Sequence, residues 1–458
     1  MPRPTPLSGF PEWLPAQRII EQRAVEIITR TFELHGYASV NTRAVEPLRE
    51  LLRKGETSKE VYVLQRLHAE RGASAAASDD DLGLHFDLTV PFARYVLEHA
   101  GHLTFPFKRY QVQPVWRGER PQDGRFREFW QADIDVVGDG ELADHFEVDV
   151  PLVAAEALTA LQEIGLPPVR VMVNNRRVAD AFYRGIGLAD VDAVLQAVDK
   201  LAKIGADGVG NLLRSELGAS DAQIAATLAL AGLSGGPEVV EQVRELAASS
   251  GVTGAEAVDL EAGLTQLQNL LVRAQTRAPG VVVADLSIAR GLDYYTGAVY
   301  ETVLVGHEKL GSICSGGRYD SLATDGSRTF PGVGISIGLS RVLSRLFSAN
   351  LATATRSVPT AVLVAVTQEE SRGASDAVAT RLRARGIPCD VAPAAAKFGK
   401  QIRYADRRGI PFVWFPGADG AADAVKDIRT GDQVDADATT WSPPPADLWP
   451  RAIPAAEG

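Results

Sequence analysis

A chain of 458 residues with 45% hydrophobic and 23% charged residues has the make-up of an ordinary globular protein, long enough for two or three domains. Its formal net charge of −11 argues against a general nucleic-acid coat but leaves room for a local basic patch. No apolar run reaches the roughly 18 residues needed to cross a bilayer, and two distant cysteines, Cys314 and Cys389, exclude a disulfide framework or a cysteine-held zinc.

In chain order, "MPRPTPLSGFPEWLP" has no apolar core resembling a signal peptide, so with the reduced cysteines a cytoplasmic location is expected and no membrane partner. Residues 16–36 show helical apolar spacing at Ile20, Ala24, Ile27, Ile28 and Phe32, and Gly36 is placed to end the helix. Residues 84–138 mix helix-like and strand-like segments, and 140–165 read as another amphipathic helix. From about 178 to 278 the chain turns rich in alanine, leucine and acids, which predicts a helical insertion. Strands and glycines resume over 280–340. "SANLATATRSVP" predicts a linker, and beyond it alternating apolar strands and helices predict a compact β/α module. The proline-rich end, 441–458, predicts a disordered tail.

Several stretches carry chemistry. "RGERPQDGRFREFWQ" (117–131) sets Arg117, Arg120, Arg125 and Arg127 around a Pro-Gln-Asp-Gly turn. A strand–turn–strand there projects several guanidiniums into one space, which suits phosphate oxygens; a solvated charged hairpin is the bland alternative. No P-loop pattern is present, so a nucleotide is not held that way. "RGLDYYTG" (290–297) lies between strand-like runs and gathers a guanidinium, a carboxylate and two phenols. "SGGRYD" (315–320) is a weaker signal, and "GVGISIGLSR" (332–341) reads as a glycine-bearing strand ending on Arg341. His85, His99, His102 and His145 have no metal-ligand spacing.

In this order and combination, the four stretches resemble the histidyl-tRNA synthetases: motif 2 of the class II synthetases in its histidyl form, two histidine-specific signatures and motif 3. The resemblance runs over residues 10–435. It implies a mixed α/β (α+β) catalytic domain over 1–350, built on an antiparallel six-stranded sheet and interrupted by the helical insertion. It also implies an anticodon-binding domain over 359–440, a homodimer, and L-histidine, ATP with magnesium, and tRNA(His) as partners. The chain departs from the pattern at Arg43, where proline is common in motif 1, at "HFDLT" (85–89) in place of R-Y-D-L-T, and at Ser340, where glutamate is usual.

What the resemblance implies residue by residue is as follows. Asp87, Thr89 and Gln131 would bind the ammonium of histidine. Asp135 would receive an imidazole N–H, Tyr295 with Tyr294 beside it would take the other ring nitrogen, and Gly316 and Gly317 would line the amino-acid site. Arg117 and Arg290 would lie across the α-phosphate, Glu119 would read the adenine amino group, and Phe129 would stack on the base. Arg125 and Arg341 would hold the distal phosphates. Between 381 and 408, eight Lys/Arg stand against Asp390 and Asp406. Arg381, Lys397, Lys400 and Arg403 are the candidates there for contact with RNA phosphates, against the alternative of a solvated helix face. Two other readings are weighed: the regulatory subunit of ATP phosphoribosyltransferase, which resembles the same core, and a histidine- or RNA-binding module without chemistry. The former typically lacks the C-terminal module, and the latter has no need of three arginines for phosphate.

Overall fold

Alternation along the strands decides the centre of the fold. The computed structural model describes residues 4–52, 60–66, 81–289, 295–417 and 421–455. They divide into a larger unit, Met1–Pro11, Ile27–Gln162 and Leu166–Arg345, and a smaller one, Glu12–Glu26, Glu163–Gly165 and Leu346–Gly458.

The larger unit is organised by a sheet of nine described strands: β1 (Ala38–Ser39), β2 (Phe107–Trp116), β3 (Glu128–Val137), β4 (Val169–Asn175), β5 (Ser234–Gly235), β6 (Val282–Asp285), β7 (Ala298–Leu304), β8 (Cys314–Tyr319) and β9 (Gly332–Ile337). Their order is β1-β2-β3-β9-β8-β7-β4-β6-β5. The stretch from β2 to β4 is six strands, each antiparallel to its neighbour, as the resemblance implies. The sheet then continues past it: β1 adds to β2 and β6 to β4, both in parallel, and β5 pairs antiparallel with β6.

Side chains on a strand alternate between faces, so β3 presents Ala132, Ile134 and Val136 on one side and Gln131, Asp133 and Asp135 on the other. The helix α3 (His145–Ala160) lies against β3, β4 and β9 and buries Val148, Leu152, Ala155 and Leu158. Each fully buried aliphatic side chain of this layer stabilises the fold by about 1.5–3 kcal/mol. Two other helices border the site: α2 (Thr89–His99), which follows Asp87, and α10 (Leu339–Ser348), which follows β9.

Between β4 and β6 run six helices, α4 (Arg176–Gly185), α5 (Val191–Val198), α6 (Leu201–Leu217), α7 (Asp221–Ala231), α8 (Val239–Ser249) and α9 (Gly254–Arg277). Ser220 and Gln223 form a capping box that starts α7. Leu260, Leu264, Leu267 and Leu271 recur at helical spacing along α9 and are all buried.

In the smaller unit the strands β11 (Val362–Val364), β12 (Cys389–Val391), β13 (Phe412–Phe415), β14 (Ala424–Asp427) and β15 (Gln433–Asp435) form one sheet in the order β12-β11-β13-β14-β15. The helices α11 (Arg372–Ala384) and α12 (Phe398–Arg407) connect its parallel strands. The linker and the tail differ from expectation, and for one reason. β10 (Ala352–Ala354), inside the linker, pairs antiparallel with β16 (Ala452–Pro454), inside the tail. Between them the guanidinium of Arg356 donates to the carbonyls of Asp447 and Leu448 at 2.9 and 3.0 Å. Trp441 meets Phe412 and Trp414 edge-on, both at 5.5 Å. Proline content signals the absence of local hydrogen bonds, but it carries no information about a distant strand or an aromatic pocket that orders the segment.

Candidate active site

Two cavities open on the polar face of the larger sheet, and they share a wall. The first, about 290 Å³, is lined by Arg117, Glu119, Arg125, Phe129 and Arg341 among others. The second, about 100 Å³, is lined by Asp87, Thr89, Asp133, Asp135 and Tyr319. Arg117, Gln131, Tyr295, Ser315, Gly316 and Ser336 line both. One cavity is therefore rich in arginine and the other in carboxylates, with Arg117 at the junction.

The arginine-rich cavity is built by the β2/β3 hairpin and by α10. The hairpin stays in register from Phe107 opposite Val137 to Trp116 opposite Glu128, and this fixes where the intervening turn begins. Arg117 leaves the end of β2, donates its Nε to the Phe86 carbonyl at 3.0 Å, and lies 5.2 Å from the centre of the Phe129 ring. Glu119 sits between Arg125, at 3.5 Å, and Arg117, at 4.0 Å. Arg341 reaches back from α10 to the Leu310 carbonyl. Ser340, where glutamate is usual, is buried and accepts the Trp130 N–H at 2.9 Å, so the substitution ties α10 to β3.

The acidic cavity rests on the polar face of the strands. Asp87 accepts the Val90 N–H at 3.1 Å and so ends up at the start of α2, with Thr89 the first helical residue. Gln131 donates to Ser336 on β9 at 2.6 Å. Asp135 is held by two groups: Arg109, opposite it on β2, at 2.6 Å, and the Tyr319 hydroxyl, which donates at 2.8 Å. Burial, and then the charge of Asp135, push the Tyr319 phenol well up, so it stays a donor. Gly334 makes this arrangement possible, because a Cβ there would lie 2.0 Å from Asp135 Oδ1. Gly317 lies under Tyr295, where a Cβ would meet the ring at 2.7 Å. Asp133, with its neighbour Asp135 two residues on, is fully buried, and that burial pushes its carboxyl up to about 7 against the pull of Arg109.

Among the described ends of the two histidine-type signatures the contacts interlock. Thr296 donates its N–H to the Arg318 carbonyl at 2.8 Å and its hydroxyl to Asp320 at 2.6 Å. Glu147 of α3 holds both pieces, accepting from the Ala298 N–H at 2.7 Å and from Arg318 at 3.0 Å. Arg290 and Tyr294 lie outside the described residues. His85, at the first departure in "HFDLT", is buried, hydrogen-bonded to the Pro114 carbonyl at 2.8 Å and stacked on Trp116. Burial holds its imidazole below the usual range. Arg43, where proline is common, pairs with buried Glu46 at 3.0 Å, and Glu46 also pairs with Arg94.

Sequence reasoning does not single out Arg109, Asp133, Tyr319 or Ser336. The available signal is the alternation in "QADID", a strand whose every second residue is polar although both of its faces are covered. Of the eight basic residues over 381–408, three are tied into the smaller unit. Arg383 donates to the Cys389 carbonyl, Arg385 to the Ala438 and Thr440 carbonyls, and Arg408 pairs with Asp390 at 3.0 Å. Arg381, Lys397, Lys400 and Arg403 are exposed, on α11 and at or near the start of α12. Among the described residues no cluster of three His, Cys, Asp or Glu is placed to hold a metal ion, and no helix is long and apolar enough to cross a membrane.

Known proteins resemble this chain over nearly its whole length. The family model described as histidyl-tRNA synthetase matches residues 9–342, and the anticodon binding domain model matches 360–439. The histidine–tRNA ligase of Cutibacterium acnes is 57% identical over 459 residues, spanning 99% of both chains. That of Micrococcus luteus is 57% identical over 462 residues, with 98% of this chain and 99% of the relative covered. The crystal structure of histidyl-tRNA synthetase from Nostoc superposes with a TM-score of 0.83 at 34% identity, covering 96% of this chain and 97% of that one. A Bacillus halodurans structure titled as an ATP phosphoribosyltransferase regulatory subunit/histidyl-tRNA synthetase shares the fold at 19% identity, with a TM-score of 0.70 and coverage of 87% of this chain and 96% of that one.

Proposed function

The chain belongs to the histidyl-tRNA synthetase family, and on that premise we propose how its residues divide the work of the reaction. It is a ligase that uses ATP to charge tRNA(His) with histidine. The histidine carboxylate attacks the α-phosphate of ATP and pyrophosphate leaves; a hydroxyl at the 3′ end of the tRNA then attacks the carbonyl of the adenylate, taking the histidyl group and releasing AMP.

The observation that carries the division of labour is the junction of an acidic and an arginine-rich cavity at Arg117. Histidine enters the acidic side. Its ammonium is met by Asp87, Thr89 and Gln131, and its imidazole lies between Asp135 and Tyr295. As a carboxylate, Asp135 only accepts, so it selects a ring nitrogen that carries a proton. ATP enters the other side, with the base against Phe129 and its amino group toward Glu119. Arg125 and Arg341 take the distal phosphates.

Arg117 then stands where the two substrates meet. Negative charge grows on the α-phosphate as the carboxylate attacks, and a fixed guanidinium there stabilises the transition state more than the ground state. Arg290 is assigned the opposite side of that phosphate, on the family pattern alone. Magnesium travels on the triphosphate as part of the substrate. Such an ion keeps its waters and phosphate oxygens and takes only one or two carboxylates, and among the described residues lining this cavity Glu301 is the carboxylate not already given to the adenine.

The smaller unit binds tRNA(His) through the exposed Arg381, Lys397, Lys400 and Arg403. A homodimer in the cytoplasm completes the proposal. What supports the dimer is a small sheet (Val45–Pro47, Leu82–Leu84, Val63–Leu64) that leaves Val63, Leu64 and Leu82 exposed. The reading is tested by histidine-dependent exchange of pyrophosphate into ATP. Exchange with histidine alone among the amino acids is expected, and none with folded protein would overturn it.

A further inference from the structure

Among the described residues, Asp133 is the one carboxylate lining the acidic cavity that the proposed reaction leaves without a task. It lies on β3 between Gln131 and Asp135, on the same face as both, and is 2% exposed. It lines the acidic cavity, and its Oδ1 is buried with no hydrogen-bond partner. A buried carboxylate oxygen left unpaired is costly, so a partner arriving with the ligand would relieve it.

Its surroundings set its charge. From β9, Ser336 hydrogen-bonds to it; from β2, Arg109 attracts it; Asp135 on its own strand and Asp87 ahead of α2 repel it. Cys314 on β8 is close enough to feel its charge. Arg117, Tyr295 and Tyr319 complete the cavity wall, and Tyr319 is already committed to Asp135. The buried guanidinium that attracts Asp133, that of Arg109, is itself paired with Asp135 at 2.6 Å. Asp133 is therefore only partly compensated, by the pull of Arg109 and the bond from Ser336, in keeping with a carboxyl raised to about 7 by burial.

We propose that Asp133 is a further histidine-recognition residue, which holds a proton while the cavity is free and releases it to solvent when the substrate's ammonium enters. The ligand's ammonium and its imidazole N–H supply what the pocket lacks, positive charge and a donor for Oδ1. This rests on the acidic cavity being the histidine site. Its consequence is that histidine affinity rises with pH through neutrality by more than the ligand's own imidazole accounts for.

The test measures histidine binding to the full-length protein and to Asp133→Asn across pH by calorimetry. The ligand's titration is common to both proteins, so the ratio of their affinities isolates Asp133. A proton lost from a group near pH 7 changes that ratio about tenfold between about pH 6 and about pH 8, in favour of the wild type as pH rises. A ratio that is flat with pH overturns the proposal while both proteins still bind histidine. Failure of the wild type to bind histidine at all overturns the site assignment instead. Should the variant fail to fold, the wild type alone decides, through proton release measured in buffers of different ionisation heat. The imidazole of free histidine can supply only about a quarter of a proton at pH 7. Release clearly above that supports Asp133, and release at or below it overturns the role.

Discussion

Arg109 and Asp135 face each other in register across β2 and β3, with guanidinium and carboxylate 2.6 Å apart and both side chains buried. A pair of this kind is expensive to break from one side, because the remaining charge stays buried without its counterpart. Arg109→Met is therefore expected to lower stability by about 3–5 kcal/mol. It leaves three carboxylates in one cavity with no cation from the sheet. Urea unfolding of the variant checks this, and an unchanged midpoint would show that the pair contributes nothing net.

The role proposed for Asp135 in histidine binding has to be separated from this one. Asp135→Asn keeps the shape and the bond from Tyr319 but weakens the attraction to Arg109. Both the melting temperature and the histidine KM should move, with the KM for ATP nearly constant. A fall in melting temperature with histidine KM unchanged would make Asp135 purely a partner of Arg109.

At the junction of the cavities, Arg117→Ala should lower the rate of adenylate formation by about 10²–10³, the scale of removing one donor aimed at developing charge. Its effect on histidine KM should be much smaller, since the charge it meets is greatest in the transition state. Single-turnover adenylate formation separates the two. Arg290→Ala is expected to behave in the same way, and a variant that activated histidine normally would make that arginine structural.

The fold and the site are legible in the sequence to different depths. The β2/β3 hairpin announces itself because Arg117, Glu119, Arg125 and Phe129 cluster around one turn, and local spacing survives folding. The partners that hold the acidic cavity do not. Arg109 is 26 residues from Asp135 and Tyr319 is 184 away, and only register across strands brings them together. The order of the tail is hidden for a similar reason, since the strand that orders Ala452–Pro454 begins at Ala352. The basic run looks freer in the sequence than it is in the fold. Charge counting cannot see that Arg385 spends its donors on the carbonyls of residues 438–441.

That tail gives a prediction of its own. Deleting residues 441–458 removes β16, two of the four carbonyl partners of Arg356 (those of Asp447 and Leu448, with Val358 and Pro359 remaining), and the Trp441 ring from Phe412 and Trp414. Arg356 is buried, and burial already draws its guanidinium below its usual range, so losing those acceptors is costly. The shortened chain should show a markedly lower unfolding temperature, and a disordered tail would predict no change.

The carboxyl of Asp133 makes stability depend on pH with a definite sign. Its value in the folded chain is about 7, against about 3.9 for an unperturbed aspartate, so between those values the folded chain holds a proton that the unfolded chain has lost. Its contribution is therefore complete below about pH 4, falls as pH rises, and is gone above about pH 7. Asp133→Asn removes the burial cost of the charge. The variant should gain most in melting temperature relative to the wild type at about pH 8 and clearly less, roughly a third as much in free energy, at about pH 5. An equal difference at both values would place the group in its ordinary range.

The last prediction concerns the exposed basic residues of the smaller unit. Lys400 and Arg403 lie three residues apart on α12, one helical turn, and both are exposed. Reversing both, with Lys400→Glu and Arg403→Glu, leaves the fold's ion pairs untouched, because the tied cations are Arg383, Arg385 and Arg408. If this face meets RNA phosphates, tRNA(His) binding should weaken, and its dependence on salt should become shallower by about one for each phosphate no longer neutralised. Histidine-dependent pyrophosphate exchange should not change, since the sites proposed for both substrates of that step lie in the larger unit. A merely solvated helix face predicts no change in either quantity. Loss of exchange together with tRNA binding would point to misfolding, which circular dichroism on the same sample detects. Weakened tRNA binding with intact exchange is the outcome that assigns this face to the nucleic acid.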